Sequence, residues 1–393
     1  MKRLFYLLLC ICLFITPVMA DTPPPAPASS AVPSAAAPNA DSSLSGTAKS
    51  VILMEATSGK VLYENNADEH LPIASVTKIM TMLLAMEALD NGVMTLDTQL
   101  TCSANAASMG GSQVYLEPGE TMSFNDTMKA IAVSSGNDAA VMMAEAIGGT
   151  EGEFVKMMND KAAQLGMVNT HFINPNGLDE GTEAYSSARD VALMSAELLK
   201  HPKIEDYLTI WMDTLRNGAF TLSNTNKLIH SYQGANGIKT GSTAEAGYCL
   251  SASAERDGMD LIAVVLGAPS TADRFSIATG LLDYGFANYA TIDIGTSDSF
   301  GKVAVEKGDT SSIEVQPART GSVVVPKAKK SQVQAEIDLP KKVAAPIKQG
   351  DKIGSVSYKL GDETLDTIDL VSTEDVERMN FWQSLFNNFK KIF

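Results

Sequence analysis

The chain has 393 residues, of which 45% are hydrophobic and 19% are charged, a composition typical of a globular protein with room for two domains. Its formal net charge of −16 argues against non-specific binding to nucleic acid, and the sequence contains no basic stripe, glycine-rich phosphate loop or dinucleotide fingerprint. The four histidines are scattered without a His-Glu-x-x-His pattern, which argues against a zinc peptidase.

The first residues have the pattern of a secretory signal. Lys2 and Arg3 form a charged start, residues 4–15 form an apolar run, and Val-Met-Ala at 18–20 offers a small-residue cleavage site. The apolar run is short for a membrane span, so we favour cleavage over a retained anchor. Residues 1–20 are therefore predicted to be a signal peptide, and the protein is predicted to be exported.

Residues 21–46 are rich in Pro, Ala and Ser, which predicts a disordered or extended linker. Removal of the signal leaves Cys102 and Cys249 as the only cysteines. An oxidising compartment would allow them to pair, but we favour two small buried side chains.

Residues 47–290 are predicted to form an antiparallel sheet covered by helices, an α+β fold. Strand-like runs at 50–54 and 60–63 form a hairpin, and a last helix at 272–284 is expected to end at Gly285. Between them, after a helix that starts at Ser75, helices are expected at 124–133, 138–147, 151–165 and 187–199, and strands at 237–240, 248–254 and 261–266.

From residue 291 the pattern changes to short β-rich runs separated by glycines, which predicts a small all-β sandwich at 291–373, a spacer or docking domain. Residues 374–393 place apolar and aromatic side chains at helical spacing, with two lysines near the end. This predicts an amphipathic helix that lies at a membrane surface. A helix docked on the β-domain or on a partner is the alternative.

Three short motifs make chemical sense together as one acyl-transfer site, and the first is Ser75 with Lys78. The two residues lie three apart at the start of an apolar helical run, so their side chains share a helix face. A lysine that is partly neutral can serve as base for a serine nucleophile, and burial or a second cation would favour the neutral form. Alone, the motif is common and would be interpreted as a helix cap beside a solvated lysine.

The second motif is Ser135-Gly136-Asn137, between two predicted helices. Ser135 can relay a proton toward a leaving amine, and Asn137 can hold a substrate amide and orient Lys78. Alone, the motif would be interpreted as a capped loop. Arg274 lies on the last predicted helix, near the predicted sheet. Support of a substrate-carboxylate site and a solvated helix arginine are its two interpretations, and we favour the second.

The third motif, Lys239-Thr240-Gly241-Ser242, ends a strand. The Lys239 ammonium and the Thr240 hydroxyl form a site for a substrate carboxylate, and Gly241 lets a substrate backbone lie against the strand edge. The N–H groups of Ser75 and Ser242 are the natural pair for an oxyanion hole. Alone, the motif would be a strand edge with a bulge.

In this order the motifs resemble those of β-lactamases and penicillin-binding proteins. The Ser-Gly-Asn form of the second motif is similar to that of the low-molecular-mass D-alanyl-D-alanine carboxypeptidases, although Asn236 stands where that family often has aspartate. The resemblance covers nearly the whole mature chain, including the β-domain and the C-terminal helix. Its further segments are 71–78, 177–179, 187–190, 224–228, 246–250 and 285–286.

The resemblance implies an enzyme that removes the terminal D-alanine from peptidoglycan stem pentapeptides. The predicted signal peptide, linker and C-terminal helix place it at the outer face of the cytoplasmic membrane. The acyl-enzyme is expected on Ser75, and β-lactams, which mimic D-Ala-D-Ala, are expected to acylate the same residue. The resemblance implies no metal or organic cofactor and no nucleic-acid partner.

Two alternatives remain open from the sequence. A class A β-lactamase would need a deacylating glutamate with an asparagine four residues later, whereas Glu180 and Glu183 are followed at that distance by Ala184 and Ser187. A slow β-lactam sensor or a cell-wall binding module would be acylated but would barely turn over.

Overall fold

A computed structural model describes residues 42–178, 183–297 and 300–379. The predicted signal peptide, most of the predicted linker and most of the predicted C-terminal helix lie outside these residues. Within the described ranges, no helix has the length and apolar character needed to cross a membrane.

The described residues form both strands and helices. The strands are β1 (Ser50–Glu55), β2 (Val61–Asn65), β3 (Gln99–Thr101), β4 (Thr121–Ser123), β5 (Met212–Leu215), β6 (Phe220–Ser223), β7 (Ala235–Thr243), β8 (Gly247–Arg256), β9 (Met259–Ala268), β10 (Tyr289–Ile294), β11 (Lys302–Glu306), β12 (Ser312–Pro317), β13 (Gly321–Pro326), β14 (Val333–Asp338), β15 (Lys342–Ala344), β16 (Lys352–Leu360) and β17 (Glu363–Ser372). The α-helices are α1 (Lys78–Asp90), α2 (Ala104–Ala107), α3 (Phe124–Ala132), α4 (Asn137–Gly148), α5 (Glu151–Gln164), α6 (Ala188–Leu199), α7 (Glu205–Leu208), α8 (Leu228–Ser231) and α9 (Thr271–Asn288). Short 3₁₀ helices are formed by Ser42–Ser45, Ala74–Thr77, Pro202–Ile204, Arg216–Gly218 and Lys327–Gln332.

The sheet that carries the site is antiparallel, with strand order β2-β1-β9-β8-β7. Neighbouring residues of β1 enter different cores: Ile52 packs in the larger core with α1 and α6, whereas Val51 and Leu53 pack in the core with α9. Side chains alternate between the two faces of a strand, so a strand that helices cover on both faces is apolar throughout. The predicted antiparallel sheet flanked by helices is confirmed.

Helices α3 to α6 lie within one residue of the predicted ranges because their ends carry strong sequence signals. At the N-terminus of α3, α5, α6 and α9, a hydroxyl side chain accepts a hydrogen bond from the backbone N–H three residues later. These caps are Ser123, Thr150, Ser187 and Ser270.

The predicted end of the last helix is wrong. Helix α9 continues through Gly285 to Asn288. A Cβ at Gly285 would lie 2.4 Å from Cδ1 of Leu261 on β9, so this glycine permits close packing of the helix on the sheet. The sequence alone does not distinguish a glycine that permits close packing of a helix on a sheet from a glycine that ends a helix.

The two cysteines of the mature chain are separate. Cys102 and Cys249 are both buried and free. Burial raises the pKa of each thiol to about 11, which keeps both protonated and unreactive at neutral pH. This agrees with their interpretation as small buried side chains.

Strands β10 to β17 form the predicted C-terminal all-β region. A six-stranded sheet has the order β14-β16-β17-β12-β11-β15, and β10 pairs with β13. This region has its own core, which includes Val315 and Ile368. It contacts the sheet described above: the Lys60 amine donates to the carbonyl oxygen of Val324 at 2.9 Å, and the Val324 side chain packs in the core with α9.

Two predictions at the ends of the folded region are wrong. The helix predicted from residue 374 does not begin there, because residues 374–379 contain no helical turn and Val376 bridges to Ile347. The Val376 side chain is 1% exposed in the β-domain core, so its burial overrides the helical pattern. Within the predicted linker, Ser42–Ser45 forms a 3₁₀ helix and Leu44 packs against the core with α9.

Candidate active site

The first motif lies where the 3₁₀ helix Ala74–Thr77 leads into α1. Lys78 is the first residue of α1, and its Nζ lies 2.9 Å from Oγ of Ser75. Gly177 packs so closely on this turn that a Cβ at its position would lie 1.9 Å from the Ala74 carbonyl oxygen, and its φ of +74° also favours glycine. The loop that carries Gly177 therefore supports the Ser75 turn directly.

The Lys78 amine is fully buried and has three hydrogen-bond neighbours. Besides Ser75, these are Oδ1 of Asn137 at 2.6 Å and the carbonyl oxygen of Asn176 at 2.7 Å. The Asn137 amide is oriented by its Nδ2, which donates to the Gly110 carbonyl at 2.7 Å. Both oxygens only accept, so a neutral amine gives its two hydrogens to them and turns its lone pair toward the Ser75 hydroxyl.

The surroundings of Lys78 favour this neutral form. Burial holds the pKa of Lys78 well below its usual value, and the positive charge of Lys239 lowers it further. The carboxylate of Asp138 opposes the shift but is a smaller influence. The surroundings of Lys78 thus shift its pKa in the direction that the sequence analysis required.

The second motif supplies Asn137, which contacts the same amine. Ser135 has a φ of +61°, and its buried Oγ has no hydrogen-bond partner in the described part of the chain. Asn137 begins α4, and the neighbouring Asp138 carboxylate accepts the backbone N–H groups of Val114 and Leu116. Asp138 therefore fixes both the start of α4 and the adjoining loop, a positioning role that the sequence analysis missed.

The third motif lies on edge strand β7. Lys239 is 1% exposed, its Nζ donates to the Thr240 carbonyl at 2.9 Å, and burial with the nearby Arg274 charge lowers its pKa to about 7. A Cβ at Gly241 would lie 2.9 Å from the Ser75 backbone nitrogen, so β7 passes directly beside the nucleophile turn. Ser242 is the next residue along this edge and its side chain is exposed.

The interpretation of Arg274 as a solvated arginine is wrong. Its side chain is only 7% exposed, and its guanidinium donates to the carbonyl oxygens of Gly241 at 3.1 Å and Cys249 at 3.3 Å. The same guanidinium lies over the rings of Tyr248 and Phe275, 5.5 and 5.0 Å from their centroids. Arg274 therefore joins α9 to β7 behind the third motif and adds positive charge there.

Asn176 was also missed as a site residue. The Asn-Pro-Asn-Gly sequence at 174–177 signals a turn. However, the atom that contacts Lys78 is a backbone carbonyl oxygen, and such a contact cannot be predicted from the residue type. The contacts given above bring together three distant parts of the chain: Ser75 with Lys78, Asn137, and Gly241.

Fold and site together define a class: serine acyl-transfer enzymes with the penicillin-binding protein fold. A family model described as D-alanyl-D-alanine carboxypeptidase matches residues 35–270, and one described as penicillin-binding protein 5, C-terminal domain, matches residues 294–378. The D-alanyl-D-alanine carboxypeptidase DacF of Bacillus subtilis (strain 168) is 44% identical over 345 residues, which cover 86% of this chain and 88% of that protein.

Solved structures agree with this classification. Penicillin binding protein 5 from Haemophilus influenzae matches with a TM-score of 0.75 at 33% identity, covering 84% of this chain and 98% of that one. Penicillin-binding protein D2 from Listeria monocytogenes, in an ampicillin-bound form, matches with a TM-score of 0.56 at 36% identity, covering 61% and 98% of the two chains.

The chain belongs to the D-alanyl-D-alanine carboxypeptidase family. The predicted serine-type carboxypeptidase activity and the predicted class of penicillin-binding protein are thereby confirmed. The β-lactamase and sensor alternatives are not favoured.

Proposed function

We propose that Ser75 forms the acyl-enzyme and that Lys78 is its general base. The observation that carries this proposal is the buried amine 2.9 Å from the Ser75 hydroxyl, with two fixed acceptors that direct its lone pair there. Oγ attacks the carbonyl carbon of the penultimate D-alanine while its proton passes to Nζ of Lys78. The buried hydroxyl of Ser135 relays a proton to the leaving nitrogen, and the C–N bond breaks to release D-alanine.

Hydrolysis completes the turnover. Water adds to the ester carbonyl carbon and gives a proton to Lys78. The C–O bond to Ser75 then breaks, the proton passes from Lys78 to Oγ of Ser75, and the shortened stem is released. The N–H groups of Ser75 and Ser242 stabilise the oxyanion in both steps. The proposed cycle uses only groups of this chain and water.

The substrate is held along β7. Lys239 and the Thr240 hydroxyl bind the terminal carboxylate, and the nearby Arg274 adds to the positive potential. Gly241 leaves room for the substrate backbone, and Asn137 contacts its amide. This explains how an acidic chain binds an anionic peptide end.

β-Lactams are proposed to acylate Ser75 in place of the peptide. The support is the similarity to the Listeria protein in its ampicillin-bound form and the match to the carboxypeptidase family. The strained ring stands in for D-Ala-D-Ala, so the same nucleophile, base and carboxylate site serve both reactions.

Release of D-alanine from a model peptide ending in D-Ala-D-Ala tests the proposal. The purified protein is expected to release D-alanine, whereas a peptide ending in L-Ala-L-Ala is expected to stay intact. A protein that is labelled by penicillin but releases no D-alanine would reject the carboxypeptidase assignment.

We also propose where the enzyme works. After export through the signal at 1–20 and a linker, a catalytic region at 47–290 and a β-domain at 291–373 lie on the outer side of the cytoplasmic membrane. The last residues, 380–393, carry Trp382, several phenylalanines and two lysines and are proposed to bind the membrane surface.

Deletion of 380–393 is expected to release the protein from membranes with D-alanine release unchanged. Continued membrane association would reject this anchor.

A further inference from the structure

Residues 110–116 run beside the second motif, and we call them the 110–116 segment. The Gly110 carbonyl oxygen accepts a hydrogen bond from Nδ2 of Asn137, and the Ser112 carbonyl oxygen accepts one from the Asn137 backbone N–H, both at 2.7 Å. In the proposed function, Oδ1 of Asn137 is one of the two acceptors that direct the lone pair of Lys78. The position of the 110–116 segment therefore sets the geometry of the base.

Arg216 binds this segment from the turn between β5 and β6. Its guanidinium donates to the carbonyl oxygens of Val114 at 2.9 Å and Tyr115 at 3.2 Å. It also pairs with the Glu120 carboxylate, with Nε 2.7 Å from Oε1. A guanidinium can make these bonds together because its five donors lie in one rigid plane.

The bonded residues are held in place by backbone contacts. Val114 donates its N–H to the Asp138 carboxylate at 3.1 Å and accepts from Arg216, so both of its backbone groups bond to charged side chains. Tyr115 has a φ of +57°, which few residues other than glycine adopt, and its side chain is 69% exposed. Such a backbone persists only where its surroundings hold it, and it is common at functional sites.

A second arginine of the same region provides a contrast. The side chains of Arg216 and Arg189 are 28% and 27% exposed, and each pairs with carboxylates. The bonds of the Arg189 guanidinium go to Asp68 and Glu64, as in an ordinary surface ion pair. Two of the four bonds of the Arg216 guanidinium go instead to backbone carbonyls beside the site. This difference indicates that Arg216 fixes a backbone segment.

We propose that Arg216 is a positioning residue for acyl transfer: it holds the 110–116 segment so that Asn137 keeps the Lys78 amine directed at Ser75. This inference rests on the proposed function and extends the machinery of that site to the turn between β5 and β6. Arg216 acts through Asn137 and leaves the carboxylate site on β7 untouched. Its loss therefore slows the acylation step more than it weakens the binding that precedes it.

Acylation of the full chain by a fluorescent penicillin tests this inference, because its rate at saturation and the concentration that gives half of that rate are measured separately. Arg216→Gln is expected to lower the saturating rate by about 10- to 100-fold, the size of effect that a small misplacement of a catalytic group can cause. The half-saturating concentration is expected to change much less. Arg216→Lys keeps the charge but lacks the planar fork, so a slower saturating rate is expected there also, including in the case that Arg216→Gln does not fold.

The matched control is Arg189→Gln, which removes ion pairs of an equally exposed arginine. It is expected to be acylated at the wild-type rate. A double-mutant cycle then tests whether Arg216 acts through Asn137. In an Asn137→Ala background, Arg216→Gln is expected to lower the acylation rate by less than about 2-fold, because the amide that Arg216 positions is already gone.

Three results would overturn this inference while leaving the proposed function intact. They are a wild-type acylation rate in folded Arg216→Gln, an equal loss of rate in folded Arg189→Gln, and an equal effect of Arg216→Gln with and without the Asn137 amide. A wild-type chain that penicillin does not acylate at Ser75 would overturn the proposed function and this inference with it.

Discussion

Lys78 at the start of α1 and Lys239 on β7 are both at most 1% exposed, and burial, followed by the charge of Lys239, lowers the pKa of Lys78. Neither forms an ion pair within the described part of the chain, although both amines donate hydrogen bonds and the Asp138 carboxylate opposes part of the shift at Lys78. Burial of this kind costs stability and favours the neutral amine, which is the form that can accept a proton.

Replacement of Lys78 by arginine tests its role as base. A guanidinium keeps its proton at any working pH, so Lys78→Arg is expected to lower the rate of acylation by about 10²- to 10⁴-fold. The rate of penicillin labelling and kcat/KM for D-alanine release both report this step. Lys161→Arg makes the same exchange at a partly exposed ion pair with Glu87 and is expected to act like wild type. Acylation of Lys78→Arg at the wild-type rate would place the base elsewhere.

The pH profile tests the carboxylate site. The pKa of Lys239 is lowered to about 7 by burial and by the Arg274 charge, so the free enzyme loses the Lys239 charge as the pH rises through that value. We therefore expect kcat/KM to fall above about pH 7. Arg274→Gln removes one cause of the shift and is expected to move this alkaline limb to higher pH. If the alkaline limb of kcat/KM stays at the same pH in Arg274→Gln, it does not report the titration of Lys239.

The stability of Lys239→Met tests the cost of the buried charge. In the unfolded chain Lys239 is protonated up to its usual pKa near 10.5, whereas in the folded chain it loses its proton above about 7. The unfolded state binds more protons between these values, so this group makes the protein more stable as the pH rises from 7 toward 10. Lys239→Met is expected to gain about 1–2 kcal/mol at pH 7 in denaturant unfolding and less at pH 10. A loss of stability at pH 7 would contradict the buried-charge account.

Gly177→Ala tests the support of the nucleophile turn. The new methyl group would overlap the Ala74 carbonyl, so we expect a loss of about 3 kcal/mol or more in unfolding free energy, together with slower acylation. Gly166 is the matched control because its φ of +73° is nearly the same and no atom lies within 4 Å of its Cβ position. Gly166→Ala is expected to lose only about 1–2 kcal/mol with normal acylation. Equal effects of the two variants would reject a specific role for the contact at Gly177.

The sequence predicted the antiparallel sheet, the helix starts and the family because these depend on local patterns. Caps such as Ser187 and the continuous apolar run of β1 are visible in a short window of residues. The motifs around Ser75 and Lys239 were predicted because their side chains carry the chemistry.

The errors came from contacts between distant segments. The burial of Arg274 depends on its packing against β7 and β8, and the extended backbone at Val376 depends on a bridge to Ile347. The Asn176 contact with Lys78 uses a backbone carbonyl, which every residue has. Only the folded chain brings these partners together.

Mass spectrometry of the penicillin-treated protein tests the central claim most directly. We expect one covalent adduct, located on the peptide that contains Ser75, and no adduct on Ser75→Ala whose melting curve shows that it is folded. An adduct on another residue of the wild-type chain, or labelling that persists in folded Ser75→Ala, would contradict Ser75 as the nucleophile.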